Sequence, residues 1–512
     1  MNLAIAAGVA ILPHYAGTDF DVDCRLLFMG DRYRQLLRAY PELVHRLSQT
    51  VEAGRVADYV RESAEICQYY DVNESERGIA LTLRDEFFRQ PASLEGLKFE
   101  LSVSAASRRR QYQLPLERFA ALGQLLPLLN GDHSESEIQA TLRERLSDDA
   151  FDWISGLQAS LRSDGFIEQT EGVRQNFLTL ARDRPRITFV AHTSLLVQSK
   201  RTAVLFDPVL RRSCGLAEKG FDVTRLELGA ICCSHSHWDH CDVASLLLFD
   251  KRTPVIIPKV GKPTIFNPPI SPVLRLLGFD DVREVEFWKP IQIDDIEIVP
   301  VPFHGEQDEP DAEIDHYTYV VRTDGLSLYG GVDAYQDTFG DMMADLERVR
   351  RDYAPTVAFL PVSRMTYAYA HGGVNGFCRK ISTGLLDQSF QYTAGPEDAV
   401  VWSRLLDARC VVPYATFTFN ASMAAPQVCD FLRQMTAAGL GDRAMALRPQ
   451  DSLEPDDLKQ NWRRDVRRAY LFTWLRSVAA FNSLDHGLAK FVVYRGLRRL
   501  WRGARPVASH HH

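Results

Sequence analysis

The stretch Ser234-His235-Ser236-His237-Trp238-Asp239-His240-Cys241-Asp242 decides how this sequence is interpreted. It places three histidines and an aspartate within six residues, directly after the strand-like run Ile231-Cys232-Cys233. Residues two apart in a strand point to the same side, so His235 and His237 can converge on one ion. Asp239 and His240 fall in the following turn, where they can face a second ion. Imidazole and carboxylate ligands suit zinc, iron or manganese rather than calcium. The pattern therefore predicts a metal centre at a strand end, with Asp239 also a candidate catalytic group.

The surrounding residues, 186–450, alternate strand-like and helical runs. The strand-like runs are short, apolar and rich in β-branched residues, and helical patterns over 342–353 and 397–406 separate several of them. Such a mixture predicts a layered α/β domain. The predicted strands cover residues 187–190, 202–206, 230–233, 253–257, 296–300, 317–322, 327–329, 356–360 and 408–412.

The motif H-x-H-x-D-H and its flanking segments resemble the metallo-β-lactamase fold superfamily over residues 186–420. The resemblance implies an αββα sandwich with its metals at one edge. It also implies that the strand end Val301-Pro302-Phe303-His304 supplies the next histidine ligand. Asp333, at the end of Gly330-Gly331-Val332-Asp333, would bridge the two ions. His192 and Asp207, in the places of the family's first hairpin, would orient ligands or close turns.

One expected ligand is missing. The family's last histidine follows a strand of the form found here at 408–413, yet the next residues are Tyr414, Ala415 and Thr416. Three alternatives stay open: the second ion lacks this ligand, Tyr414 replaces it, or His371 reaches in from an insertion before the last strand. Glu306, at the start of an acidic stretch two residues after His304, is a further candidate ligand.

Two reactions are compatible with such a centre. Hydrolysis is the family's general chemistry, because a bound metal can lower the pKa of its water to about 7 and provide hydroxide. Other members use iron and dioxygen. This chain is similar in overall plan to the group typified by the di-iron amino-acid β-hydroxylase of chloramphenicol biosynthesis. About 180 residues precede its metal domain, a long insertion precedes the last ligand strand, and Glu306 makes the site richer in carboxylate.

We therefore expect two metal ions, iron favoured over zinc, and a dinuclear oxygenase that uses dioxygen in biosynthesis. Its substrate would be an amino acid or peptide-type molecule, free or tethered to a carrier. The alternative is a zinc-dependent hydrolase that uses metal-bound hydroxide on an amide, ester, lactone or phosphodiester. A binding module with a structural metal fits less well, because structural zinc sites usually have four protein ligands and no open position.

The segments outside the metal domain give weaker predictions. Residues 1–180 are expected to be mostly helical, for recognition or dimerisation. Three short helices and a strand there resemble a winged-helix module, and Ser134 with Glu137 forms a capping box. Residues 451–509 are expected to be helical, and 459–505 hold twelve lysines and arginines against two aspartates. The favoured interpretation is a set of helices packed on the body with the arginines in solvent, and the alternative is a surface for an acidic partner or an anionic membrane.

Composition narrows the class of protein further. The whole chain of 512 residues carries a net charge of −8, so nucleic-acid binding is not expected. Nine scattered cysteines favour reduced thiols in a cytoplasmic protein. The sequence leaves a homodimer open.

Overall fold

The computed structural model describes most of the metal domain and parts of the N-terminal region. The described residues are 118–130, 133–165, 167–170, 184–210, 226–237, 239–260, 270–306, 316–336, 340–365, 391–416, 421–447 and 451–458, with strands at 2–5, 9–13, 70–75, 78–83, 98–105, 108–115 and 380–382. The strands are β1 Asn2–Ile5, β2 Val9–Pro13, β3 Tyr70–Ser75, β4 Gly78–Leu83, β5 Lys98–Ala105, β6 Arg108–Pro115, β7 Ile167–Thr170, β8 Arg186–Ala191, β9 Ser194–Gln198, β10 Ala203–Phe206, β11 Ala230–Cys232, β12 Val255–Ile257, β13 Val282–Glu284, β14 Ile291–Ile293, β15 Ile296–Pro302, β16 Tyr317–Thr323, β17 Leu326–Gly330, β18 Val357–Pro361, β19 Lys380–Ser382, β20 Cys410–Tyr414 and β21 Ser452–Leu453. The helices are α1 Phe119–Asn130, α2 Glu135–Arg145, α3 Asp148–Ser163, α4 Val243–Leu246, α5 Ile270–Leu276, α6 Met343–Tyr353, α7 Pro396–Leu406 and α8 Ala421–Ala437.

Two sheets form the centre of the metal domain. One has the strand order β13-β12-β11-β10-β9-β8-β21, and the other has the order β14-β15-β16-β17-β18-β20. A single apolar cluster joins side chains of both sheets, among them Phe206 and Tyr319, whose rings stack with centroids 4.1 Å apart. Helices α6 and α7 pack their apolar sides onto this core. The predicted αββα sandwich is confirmed.

The strand directions bring several loops to one edge. Strands β10 and β11 are parallel, and so are β17, β18 and β20. Because parallel strands end on the same side of a sheet, the residues after β10 and β11 gather at one edge of their sheet, and those after β17, β18 and β20 gather at one edge of theirs. The strands are buried on both faces, as their nearly continuous apolar sequences require. The fold thus places polar side chains at a rigid sheet edge.

The described N-terminal residues contain more strand than the sequence analysis predicted. Strands β5 and β6 pair in register from Lys98 with Pro115 to Ala105 with Arg108, and alternate apolar residues such as Phe99, Leu101 and Val103 give them the period of two that a strand needs. The three predicted helices and the strand after them are present as α1, α2, α3 and β7. The capping box at the start of α2 is also present. A winged-helix relationship stays a prediction.

The ends of the predicted metal domain are tied to neighbouring segments. Strand β19, in the insertion before the last ligand strand, pairs with the N-terminal strand β4. Strand β21 pairs with β8, and Arg186 donates a 2.6 Å hydrogen bond to Glu454, so the sandwich continues past residue 450. The rest of the basic C-terminal segment lies outside the described residues. Among the described helices, none combines the length and apolar character needed to cross a membrane.

Candidate metal centre

The histidine-rich motif lies in the turn that follows β11. Residues 233–242 connect β11 to α4, and Asp242 caps that helix by accepting a hydrogen bond from the Ser245 N–H at 3.2 Å. The cap fixes where the turn ends and keeps Asp242 away from the metal-facing side. His235 and His240 are completely buried, so the motif faces the interior of the sheet edge.

The first cluster consists of His235, His237, Glu306 and His316. Their ligand atoms all lie within 4.8 Å of one another. A Glu306 carboxylate oxygen, Oε2, is 3.2 Å from His237 Nδ1 and 3.6 Å from His235 Nε2. Ligands about 2.1 Å from a tetrahedral ion are separated by about 3.4 Å, so this spacing matches shared coordination.

A hairpin brings Glu306 and His316 together. Strands β15 and β16 are antiparallel and Pro302 pairs with Tyr317, so residues 303 and 316 stand at the two ends of the connecting loop. Gly305 has a φ of +113°, and a Cβ there would lie 2.4 Å from the Tyr392 carbonyl oxygen. Only glycine tolerates both conditions. The turn at Gly305 thereby directs Glu306 back towards His237.

The second cluster consists of His192, Asp239, His240 and Asp333, again with ligand atoms within 4.8 Å of one another. His240 Nε2 is 2.8 Å from Asp333 Oδ2, and His192 Nε2 is 3.4 Å from Asp239 Oδ2. His192 comes from the turn between β8 and β9, while Asp333 follows β17. The two clusters adjoin each other, because the rings of His235 and His240 have centroids only 3.9 Å apart.

A buried hydrogen-bond relay orients one histidine of each cluster. Asp207 accepts hydrogen bonds from the Ser234 N–H at 2.7 Å and the Ser234 hydroxyl at 2.8 Å, and its carboxylate lies 2.9 Å from His240 Nδ1. Ser234 Oγ lies in turn 3.0 Å from His235 Nδ1. When each Nδ1 carries the hydrogen, the Nε2 atoms present lone pairs to a metal, which is how carboxylate partners fix ligating histidines.

The charges in the centre are strongly coupled. Burial would raise the pKa of Asp239, but His240 and the hydrogen bond with His192 outweigh it and hold that pKa below its ordinary value. Burial lowers the pKa of His240, whereas Asp333 and Asp239 raise it, and the net direction is upward. Burial and the neighbouring histidines lower the pKa of His235, so this ring is neutral at physiological pH and suited to metal ligation.

The donor set fits metal cations. Three carboxylates, Asp239, Glu306 and Asp333, are buried side by side with five imidazoles. Two buried atoms in this set, His235 Nε2 and Asp333 Oδ1, have no hydrogen-bond partner among the described residues. Buried carboxylates are stable only when they are paired or coordinate metals. Two divalent cations would offset the charge and satisfy both atoms.

The structure brings together seven of the residues that the sequence analysis selected, including His192, which was expected to orient other ligands. His304, an expected ligand, joins neither cluster. Its Nε2 lies 3.6 Å from Asp345 Oδ2, and its ring packs over Gly340. His316 stands in the first cluster instead and was missed. The sequence shows a histidine directly before β16, but only the pairing of β15 with β16 brings it to the site.

The two candidates for the missing ligand have different outcomes. Tyr414 is buried, and its hydroxyl accepts a hydrogen bond from the backbone N–H of Val332, next to Asp333. It therefore supports the loop that carries Asp333, and a role for Tyr414 as a ligand or catalytic group stays a prediction. Burial raises the pKa of Tyr414 well above its ordinary value, which keeps the hydroxyl neutral. His371 lies outside the described residues.

The clusters are slightly exposed on one side only. His192, His235, His240 and His316 are 0% exposed, whereas His237 is 9%, Asp239 7% and Glu306 7% exposed. A reactant would therefore approach from the side of His237, Asp239 and Glu306. Residues after β11, β15 and β17 thus form a candidate metal-binding edge whose small exposed area lies mainly at His237, Asp239 and Glu306.

Comparison with known proteins agrees with this fold. Residues 186–415 match the family model of the beta-lactamase superfamily domain. The crystal structure of CmlA, a diiron beta-hydroxylase from Streptomyces venezuelae, superposes with a TM-score of 0.53 at 14% identity, covering 89% of this chain and 99% of that chain. At this identity the likeness concerns the fold, and it extends beyond the metal domain.

Two curated relatives differ in their chemistry. A 4-amino-L-phenylalanyl-[CmlP-peptidyl-carrier-protein] 3-hydroxylase of Streptomyces venezuelae is 32% identical over 125 residues, which span 23% of this chain and 24% of the relative. A metal-dependent hydrolase of Opitutus terrae is 26% identical over 237 residues, which span 44% of this chain and 83% of the relative. The first match covers about a quarter of that relative's length.

Proposed function

Residues 186–415 form a metallo-β-lactamase-fold domain, and from this premise we propose that the chain is a di-iron oxygenase that hydroxylates an amino acid or peptide-type substrate. The observation that carries the proposal is the position of Glu306 beside His235 and His237. Together with His316 these residues form a set of three imidazoles and one carboxylate, and mixed imidazole and carboxylate ligation is compatible with iron. Carboxylates also stabilise the ferric state through which oxygen chemistry passes.

The chain's own residues would divide the work as follows. His235, His237, Glu306 and His316 hold one ion, while His240, Asp239 and Asp333 contribute to the second. Bound iron would supply the redox chemistry of dioxygen, in which one oxygen atom enters a C–H bond and the other leaves as water, with two electrons from an external reductant and two protons from solvent. Asp207 and Ser234 keep the histidine rings aligned, and the buried histidines exclude water from the back of the site.

The substrate class is also a proposal. The curated hydroxylase is named for an amino acid carried by a peptidyl-carrier protein, and we infer that this chain takes a related substrate, free or tethered. Its open side, at His237 and Asp239, is where a tethered amino acid would enter. The superposition covers 99% of the hydroxylase chain and 89% of this one, so it includes part of the N-terminal region. This region would help to recognise the carrier.

The experiment is oxygen consumption by the iron-loaded, chemically reduced protein. We expect consumption to rise when an aromatic amino acid tethered to a carrier domain is added, with a product heavier by one oxygen atom in mass spectrometry. Glu306→Ala should abolish this, while His304→Ala, from the same loop but outside both clusters, should retain it. Two results together would contradict the proposal: oxygen uptake that does not depend on an added amino acid, and free and tethered amino acids that are recovered unmodified.

A zinc-dependent hydrolase is the second candidate, and one observation favours it. The hydrolase relative matches over most of its own length, and a histidine-carboxylate site can also hold zinc for hydrolysis. The two candidates separate on metal identity. Hydrolysis of an ester or lactone by the zinc-loaded protein, with no oxygen uptake by the iron-loaded protein, would favour the hydrolase.

A further inference from the structure

We propose that His192 is a ligand of the second metal ion and takes the coordination position that lacks an imidazole after β20. This inference rests on the proposed two-metal function and extends it to a residue from a different part of the fold. The sequence pattern had given His192 only an orienting role. The structure places its ring inside the second cluster.

The backbone explains how the replacement is achieved. Ala415 is the first residue after β20, and its N–H donates a 3.2 Å hydrogen bond to the His192 carbonyl oxygen. The turn between β8 and β9 therefore lies directly against the end of β20. Both residues are fully buried. A side chain at position 192 consequently starts from the same corner of the site as a side chain at position 415.

The ring position agrees with ligation. His192 Nε2 lies 3.4 Å from Asp239 Oδ2, about the separation of two ligands on one tetrahedral ion. The His192 ring meets that of His240 edge-on, with centroids 5.2 Å apart. With Asp239, His240 and Asp333, His192 completes a set of two imidazoles and two carboxylates.

The local conformation is an uncommon one. His192 has a φ of +49°, in the left-handed region that few non-glycine residues adopt. Such conformations are unfavourable and persist where the surroundings fix them. Here the Ala415 hydrogen bond fixes the turn, and the result is that the imidazole is directed at Asp239.

A weaker role must be separated from this one. His192 could merely donate a hydrogen bond to Asp239 and touch no metal. Glutamine at this position retains an N–H donor of similar reach but is a poor metal ligand. We therefore choose His192→Gln as the main variant, His192→Ala as the second, and His304→Gln as the matched control for loss of a nearby histidine.

The test is the number of ions bound per chain, measured by mass spectrometry of metals after reconstitution with Co²⁺ and removal of free ion, on proteins checked for folding by circular dichroism. We expect two ions in wild type and His304→Gln and one in both His192 variants. Two ions held as tightly in His192→Gln as in wild type would overturn the proposal.

A measurement on the wild-type protein covers the case in which the variants do not fold. In the Co²⁺ protein, each ligating histidine gives one exchangeable, strongly shifted imidazole N–H signal in proton NMR. Ligation by His192 predicts that one of these signals is assigned to the His192 ring, and its absence from the assigned signals would contradict the proposal. Neither readout involves oxygen. If the protein binds two ions through His192 but consumes no oxygen, the oxygenase proposal fails and this one stands.

Discussion

Replacing Asp207 with asparagine should weaken both metal sites, although Asp207 belongs to neither. The carboxylate accepts the Ser234 N–H and hydroxyl at 2.7 and 2.8 Å and lies 2.9 Å from His240 Nδ1. Asparagine keeps the size and tolerates the left-handed backbone of Asp207, whose φ is +43°. It removes the negative charge and replaces one acceptor oxygen with an N–H donor. The perturbation is therefore electrostatic rather than steric.

The expected magnitude follows from these contacts. Loss of a carboxylate that orients a ligating histidine costs about 10- to 100-fold in metal affinity, or about 1.4–2.7 kcal/mol. His240 contacts Asp207 directly and should show the larger effect. His235 is linked to Asp207 only through the Ser234 hydroxyl at 3.0 Å, so the first cluster should show the smaller one.

The assay is competition with a chelator of known affinity, which resolves two successive binding constants. Ser234→Ala breaks the link to His235 but leaves His240 bound to Asp207, so it should weaken only the first site. Asp250→Asn is the matched control, because Asp250 forms an exposed ion pair with Arg252. Two unchanged binding constants in Asp207→Asn would refute the reasoning that this relay orients the ligands.

Three further predictions concern the loops and the charge of the centre. His316→Ala should lower the metal content from two ions per chain to one, whereas His304→Ala should retain two; equal metal content would contradict the hairpin assignment. Gly305→Ala should lower the free energy of unfolding by about 1–3 kcal/mol because of its positive φ and the close Tyr392 carbonyl, and an unchanged thermal melting curve would argue against this constraint. In the metal-free protein burial lowers the pKa of His240, but Asp333 and Asp239 raise it above its ordinary value of 6.5. The contribution of protonated His240 to the free energy of unfolding is therefore complete below pH 6.5 and is lost as the pH rises through the raised pKa. Urea unfolding at several pH values should show this loss in wild type and not in His240→Ala.

The metal domain could be predicted from its sequence to an unusual extent. Each predicted strand from residue 187 onwards overlaps an observed strand, because short β-branched runs bounded by turns are a local signal. The H-x-H-x-D-H motif is also local, but all four side chains lie after the end of β11, so the turn and not the period of a strand places them. Asp333 was predicted through the family resemblance, and Glu306 through its place two residues after His304 at the start of an acidic stretch.

The rest of the site depends on contacts between distant segments. His316 enters through the pairing of β15 with β16, and the sequence alone does not give the register of that pairing. His304 was expected as a ligand because it ends the same run as β15, but the turn at Gly305 directs Glu306 into the site and leaves His304 beside Asp345. His192 joins the site because β8 and β9 turn against the end of β20, a contact across more than two hundred residues.

The most direct test of the two-metal account is anomalous X-ray diffraction from crystals of the protein purified without chelators, recorded on both sides of the iron and zinc absorption edges. We predict two iron peaks per chain about 3.5–4 Å apart, one between His237 and Glu306 and one between His240 and Asp333. A single peak, or two peaks that appear only at the zinc edge, would contradict the proposed di-iron centre.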